Sequence, residues 1–182
     1  MSTPVSELLQ DPALPEKVAA LQQALQTERE RRNRFRDEMP EDVKAEFING
    51  EVVMDSPARA GHTETRHRLE TLLSTYCKVR KLGAVFSEKS LCAFPRNDYE
   101  PDVVFFGPDK NALIKPETLK FPIPDFVCEV LSDSTAARDR GVKFRDFEAQ
   151  GLLVPPEKVI GPIVAFLENP KAHGWREERY SG

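Results

Sequence analysis

Apolar positions along this chain switch between two periods, and the switches mark its elements. Leu14, Val18, Leu21 and Leu25 recur at helical spacing among Gln, Ala and Lys, which predicts one helix from about Glu16 to Arg36 with a narrow apolar stripe on its first half. Glu46–Met54 reads as an apolar run, Asn49-Gly50, then a second apolar run, the pattern of a two-residue β-hairpin. His62 to Lys81 returns to helical spacing, with Leu69, Leu72, Leu73 and Tyr76 on one side and Gly83 just past its end. Ala84–Phe94 reads as a strand region closed by Pro95-Arg96-Asn97-Asp98, and Val103–Phe106 as a short strand ended by Gly107-Pro108. Asn111–Pro124 is proline-punctuated and irregular. Phe126–Leu131 is nearly all apolar, which predicts a strand buried on both faces. Ser132–Thr135 suits a turn and helix cap, and Ala136–Gln150 a second core helix stopped by Gly151. Helix, hairpin, helix, several strands and helix in that order predict an α/β (α+β) fold with a central mixed sheet.

Composition narrows the class. The chain has 182 residues, 40% hydrophobic and 31% charged, enough for one core with appendages. The longest apolar stretch, near Val159–Leu167, is broken by Gly161 and Pro162, far short of the roughly 20 residues that span a bilayer. Met1–Gln10 lacks a secretory pattern. Cys77, Cys92 and Cys128 show no paired spacing, which speaks against a disulfide framework or thiolate zinc site and suits a reducing cytoplasm. The net charge is −4, so any nucleic-acid binding must come from a local groove or a metal. Thr27–Glu38 is the most charged stretch, but its five arginines face four acids. It reads as a solvated helix laced by i,i+4 pairs, with a nucleic-acid arm as the alternative. The apolar stripe before it is expected either to pack on the core or to pair two subunits; a sheet edge is the other candidate for a homodimer contact.

Two acids carry the chemistry. Glu129 sits inside the most apolar segment, FVCEVL, where a carboxylate is costly unless compensated. Asp102 opens the apolar strand VVFF directly after Pro101. They lie 27 residues apart; if their strands are neighbours, their carboxylates converge as a Mg²⁺ or Mn²⁺ site. The alternative is a buried, hydrogen-bonded structural acid. Asp139 and Lys143 are four apart on the following helix. Lys143 is then placed to approach the acids, to stabilise a phosphorane or to help orient and deprotonate a water; an ordinary surface pair is the alternative.

Gly50-Glu51-Val52-Val53-Met54-Asp55-Ser56-Pro57, His62, Pro101-Asp102-Val103, Glu129-Val130-Leu131-Ser132-Asp133-Ser134-Thr135 and Asp139-Arg140-Gly141-Val142-Lys143 occur in this order. Together they resemble the Uma2 family of restriction-endonuclease-like proteins, in the PD-(D/E)XK nuclease superfamily, over about residues 44–151. The resemblance implies a mixed β-sheet flanked by helices, here behind an N-terminal helical extension of residues 1–43. It implies a metal-dependent endonuclease, a hydrolase of DNA phosphodiesters, with Mg²⁺ (or Mn²⁺) held by Asp102, Glu129 and the main-chain carbonyl of Val130. The superfamily's lysine normally sits two residues after the acid, where this chain has Leu131; Lys143 is the matching position in Uma2-like chains. Glu51 and His62 match positions that line the site. For Glu51 the alternative is an exposed hairpin acid, and for His62 a helix-start residue packing a loop.

Residues 152–182 depart from the family pattern. Where the family has Gly-Val-x-Glu-Tyr-Trp and then Asp-Pro, this chain has Gly151-Leu152-Leu153-Val154-Pro155-Pro156. Proline cannot donate to a central ladder, so the last strand is expected to be displaced or lost, with Trp175 and Tyr180 in a late edge strand or tail. This makes a catalytically degenerate binding or interaction module on the same fold the rival reading.

Overall fold

The computed structural model describes residues 4–39, 43–132 and 134–152. The expectations for the segment after Leu152, including those for Pro155, Trp175 and Tyr180, lie outside the described residues. Helix α1 (Pro4–Leu9) is followed by the long helix α2 (Leu14–Glu38), with Pro15 in its first turn, where a missing N–H costs nothing. The hairpin is β1 (Ala45–Ile48) and β2 (Glu51–Met54), antiparallel with Ile48 opposite Glu51. Asn49 and Gly50 both take positive φ, 51° and 89°, as a type I′ turn requires. Helix α3 (Ala60–Arg80) leads into β3 (Ala84–Ser87), β4 (Leu91–Ala93), β5 (Asp98–Tyr99) and β6 (Val103–Phe106). A side chain at Gly83 would collide with the Phe106 carbonyl, so only glycine lets β3 lie against β6 there. After α4 (Pro108–Asn111) come β7 (Lys120–Phe121), β8 (Phe126–Cys128) and a final helical segment. That segment is α5 (Ala136–Arg138), a π-turn (Asp139–Lys143) and α6 (Phe144–Ala149).

The strands form a mixed five-stranded sheet, β2-β1-β5-β4-β7, in which only β4 and β7 run parallel, and an antiparallel three-stranded sheet, β3-β6-β8. Val104 and Phe106 of the second sheet share one apolar core with Ile48, Cys92 and Tyr99 of the first and with Phe94 just past β4. Phe147 of α6 closes that core, its ring 5.4 Å from Phe94 and 5.6 Å from Tyr99. Leu73 of α3 packs on Val103 on the other side of the second sheet. The predicted class, a mixed sheet flanked by helices behind an N-terminal helix, is the observed one.

Three expectations need correction. Ala84–Phe94 is two strands in two sheets, because Glu88 and Lys89 both adopt positive φ and redirect the chain. The Phe126–Leu131 strand stops at Cys128, is half-buried, and ends its sheet among the described residues. Beyond it the Val130 N–H leaves the ladder for Asp102. The charged half of α2 is an anchor rather than only a solvated face. Arg32 and Arg36 both make two-pronged hydrogen bonds to Asp98, which is fully buried. Burial works against the Asp98 charge, but the guanidiniums outweigh it and hold the carboxyl below its ordinary range. Phe35 adds an apolar contact, its ring 5.9 Å from Phe47. Val18, Leu21 and Leu25 instead lie exposed, so the stripe does not pack on the core among the described residues.

Candidate active site

The register of β6 and β8 brings the two acids together. Val103 pairs with Cys128, so Asp102 and Glu129 face one another one step beyond the ladder. The Asp102 N–H lies 3.4 Å from Glu129 Oε2, and the Val130 N–H donates to Asp102 Oδ2 at 2.8 Å. Lys143 arrives from the π-turn. The wider turn, a feature often found at functional sites, buries both Asp139 and Lys143. Lys143 Nζ lies 2.9 Å from Glu129 Oε1, 2.7 Å from Glu46 Oε1 and 3.5 Å from Asp139 Oδ1. The Asp139–Lys143 pair is therefore part of a buried cluster and not a surface pair.

The cluster widens toward solvent. Lys44, directly before β1, places Nζ 2.9 Å from Asp102 Oδ1 and 3.9 Å from Asp55 Oδ2. His62, at the start of α3, has Nε2 3.1 Å from Asp102 Oδ2. Arg138 hydrogen-bonds Asp55 and has Nε 3.6 Å from Glu46 Oε2. These side chains line a cleft of about 1230 Å³ whose wall also carries Arg59, Arg66 and Lys89. The wall is mixed in charge, since Arg66 pairs there with Glu88.

The protonation pattern follows from burial and neighbours. Burial pushes Glu129 up to about 7, against the pull of Lys143. Burial also lifts Glu100, which accepts the Ala45 N–H nearby, to about 7. Asp102 is held below its ordinary range despite burial, because Lys44 and the Val130 N–H favour its charged form. Lys143 is held above its ordinary value despite burial, by Glu129 and Glu46. A lysine so held stays protonated near neutral pH. Its charge suits the electrostatic part of the roles expected for it.

Five carboxylates, Glu46, Asp55, Asp102, Glu129 and Asp139, meet three cations, Lys44, Arg138 and Lys143. The oxygen donors suit a hard cation, and the buried Glu46 Oε2 has no hydrogen-bond partner among the described residues. No three His, Cys, Asp or Glu side chains among the described residues are grouped to hold an ion alone. Magnesium commonly takes one or two carboxylates and completes its shell with water and other oxygens, so the residues fit such an ion.

The structure brings Asp102, Glu129, Lys143 and His62 together, with Val130 alongside. It does not bring in Glu51, which is exposed on β2 and lines a separate groove beneath α2 with Glu28 and Asn49. The hairpin acid in the cluster is Glu46, on the fully buried β1. The signal for Glu46 was present: an acid inside the apolar run AEFI, the logic that singled out Glu129. Asp55 stood in the motif run Gly50–Pro57 without being singled out, and Lys44 and Arg138 had no comparable signal, being single charges in a chain rich in them.

A family model described as Uma2, putative restriction endonuclease, matches residues 30–154. The chain belongs to the Uma2 family. The Uma2 match runs from the second half of α2 past Leu152 and so takes in Lys44, Glu46, Asp102, Glu129 and Lys143. No curated protein matches. Among solved structures, this Uma2 chain is similar to a putative nuclease belonging to DUF820 from Anabaena variabilis, at 19% identity and a TM-score of 0.46. The alignment covers 60% of this chain, which spans 59% of the length of that one.

Proposed function

We propose that this Uma2 chain is a Mg²⁺- or Mn²⁺-dependent endonuclease that hydrolyses phosphodiester bonds in DNA. The observation that carries the reading is the meeting of Asp102, Glu129 and Lys143 on the floor of a cleft walled by Lys and Arg. Asp102 and Glu129 would hold the ion, with the Val130 carbonyl as the third protein ligand. The bound ion would supply a water of lowered pKa and polarise the scissile phosphate. Lys143, locked between Glu46 and Glu129, adds fixed positive charge beside the acids and orients Glu129. His62 holds the Asp102 carboxylate from the side opposite Lys44. Arg59 and Lys89 on the cleft wall would contact a phosphate backbone, while Arg66 is paired with Glu88.

The test is nicking of supercoiled plasmid by purified protein with Mg²⁺ or Mn²⁺, beside Asp102→Ala and Glu129→Ala variants whose far-ultraviolet circular dichroism is unchanged. Cleavage by the wild type and a loss of roughly 10²-fold or more in each variant is expected. Absence of nicking with either metal, or equal nicking by the variants, defeats the enzymatic reading and favours a binding module on the same fold.

A further inference from the structure

Two lysines reach the acidic floor, and they are held differently. Lys143 is 1% exposed and touches three carboxylates. Lys44 is 28% exposed and makes a single short contact, 2.9 Å from Asp102 Oδ1. A second carboxylate waits beside it: Asp55 Oδ2 lies 3.9 Å from Nζ, and Asp55 is tied to Lys44 by a main-chain hydrogen bond from its N–H to the Lys44 carbonyl at 3.1 Å. A divalent ion at the usual distance of about 2.1 Å from Asp102 Oδ1 would stand within about 5 Å of the Lys44 ammonium. At that separation in a partly dry cleft a double and a single positive charge repel strongly.

We infer that Lys44 is a competitor for the metal site: its ammonium stands in for the divalent cation at Asp102 in the metal-free protein, and moves toward Asp55 when the ion binds. The inference rests on the metal site proposed above. Lys44 yields, and Lys143 does not, because Lys44 has solvent on one side and an alternative acid within reach. Lys44 thereby keeps Asp102 ionised and oriented before the ion arrives, and it makes occupancy depend on the free metal concentration. Once displaced, its charge stays on the cleft wall, where the DNA backbone is expected to lie.

The test measures Mn²⁺ binding directly, by the loss of the free-ion electron paramagnetic resonance signal on titration, with full-length protein and no DNA. Lys44→Met removes the charge at nearly constant length; Lys44→Gln serves if Lys44→Met does not fold. Lys89→Met removes the same charge from the same cleft at a position that does not touch Asp102. Binding tighter by at least about fivefold in the Lys44 variant, with Lys89→Met within about twofold of wild type, is expected. Equal or weaker binding by the Lys44 variant, or an equal gain in Lys89→Met, overturns the competition while leaving the metal site standing. No Mn²⁺ bound by any of the three at millimolar metal overturns the metal site, and this inference with it.

Discussion

Replacing Lys143 by Met leaves Glu46, Glu129 and Asp139 without the ammonium that now lies 2.7, 2.9 and 3.5 Å from them. Met keeps most of the volume, so the loss is one of charge and not of packing. Removing one side of a buried ion cluster costs about 3–5 kcal/mol, because the remaining charges stay dry and uncompensated. The direction of the Lys143 shift fixes the pH window. Its folded pKa is raised, so its stabilisation is complete below the ordinary lysine value of 10.5 and fades only as pH climbs through the folded value. Across pH 5 to 8 Lys143 therefore stays charged in the wild type, and any pH dependence there comes from the acids it faces. The variant's deficit is different: its stranded carboxylates can protonate. Glu129 sits at about 7 even with Lys143 present, and higher without it, so at pH 5 Glu129 is largely neutral and the deficit is smaller than at pH 7.5. Urea denaturation at pH 7.5 and pH 5 measures both numbers. A deficit under about 1 kcal/mol at pH 7.5, or a larger one at pH 5, refutes the placement of Lys143 among ionised acids.

Glu100→Gln tests a second buried acid: with a folded value of about 7 against an ordinary 4.5, Glu100 lowers stability as pH rises between those values, by about 3 kcal/mol in all. The variant should flatten the wild-type decline across that window in urea titrations; an unchanged slope counts against it. Asp98→Ala removes the acceptor shared by Arg32 and Arg36, leaving Arg32 only the Phe94, Pro95 and Asn97 carbonyls, and should loosen α2, costing about 3 kcal/mol and lowering hydrogen-exchange protection over residues 28–38; protection equal to wild type would contradict the anchor. Glu46→Gln should cut Mn²⁺-dependent nicking about tenfold or more while Glu51→Ala stays within about twofold, and the reverse order would restore Glu51 to the site.

The sequence showed Asp102, Glu129 and Lys143 because each breaks a local rule or fills a motif position. An acid in an apolar run is legible wherever it occurs, and Glu46 obeys the same logic as Glu129. The hairpin was legible because Asn49 and Gly50 satisfy a turn that few residues can. What was hidden depends on partners far along the chain. The arginines of α2 balance against nearby acids on paper, and only Asp98, 62 residues beyond Arg36, shows that two of them fasten the helix. The split of Ala84–Phe94 hides behind Glu88 and Lys89, residues with no strong preference for the left-handed backbone they adopt. Lys44 gains its place from the antiparallel pairing of β1 with β2 and from the start of β6, none of which a run of charges in the sequence reveals.

On the reading proposed above, Asp102 and Glu129 share one divalent cation. Anomalous scattering from a crystal of the full chain soaked in millimolar Mn²⁺ tests it most directly. A single peak in contact with oxygens of both Asp102 and Glu129, with the Lys143 ammonium still on Glu129, is the predicted result. A peak seated elsewhere in the cleft, or no peak in a crystal whose cleft is open to solvent, would contradict it.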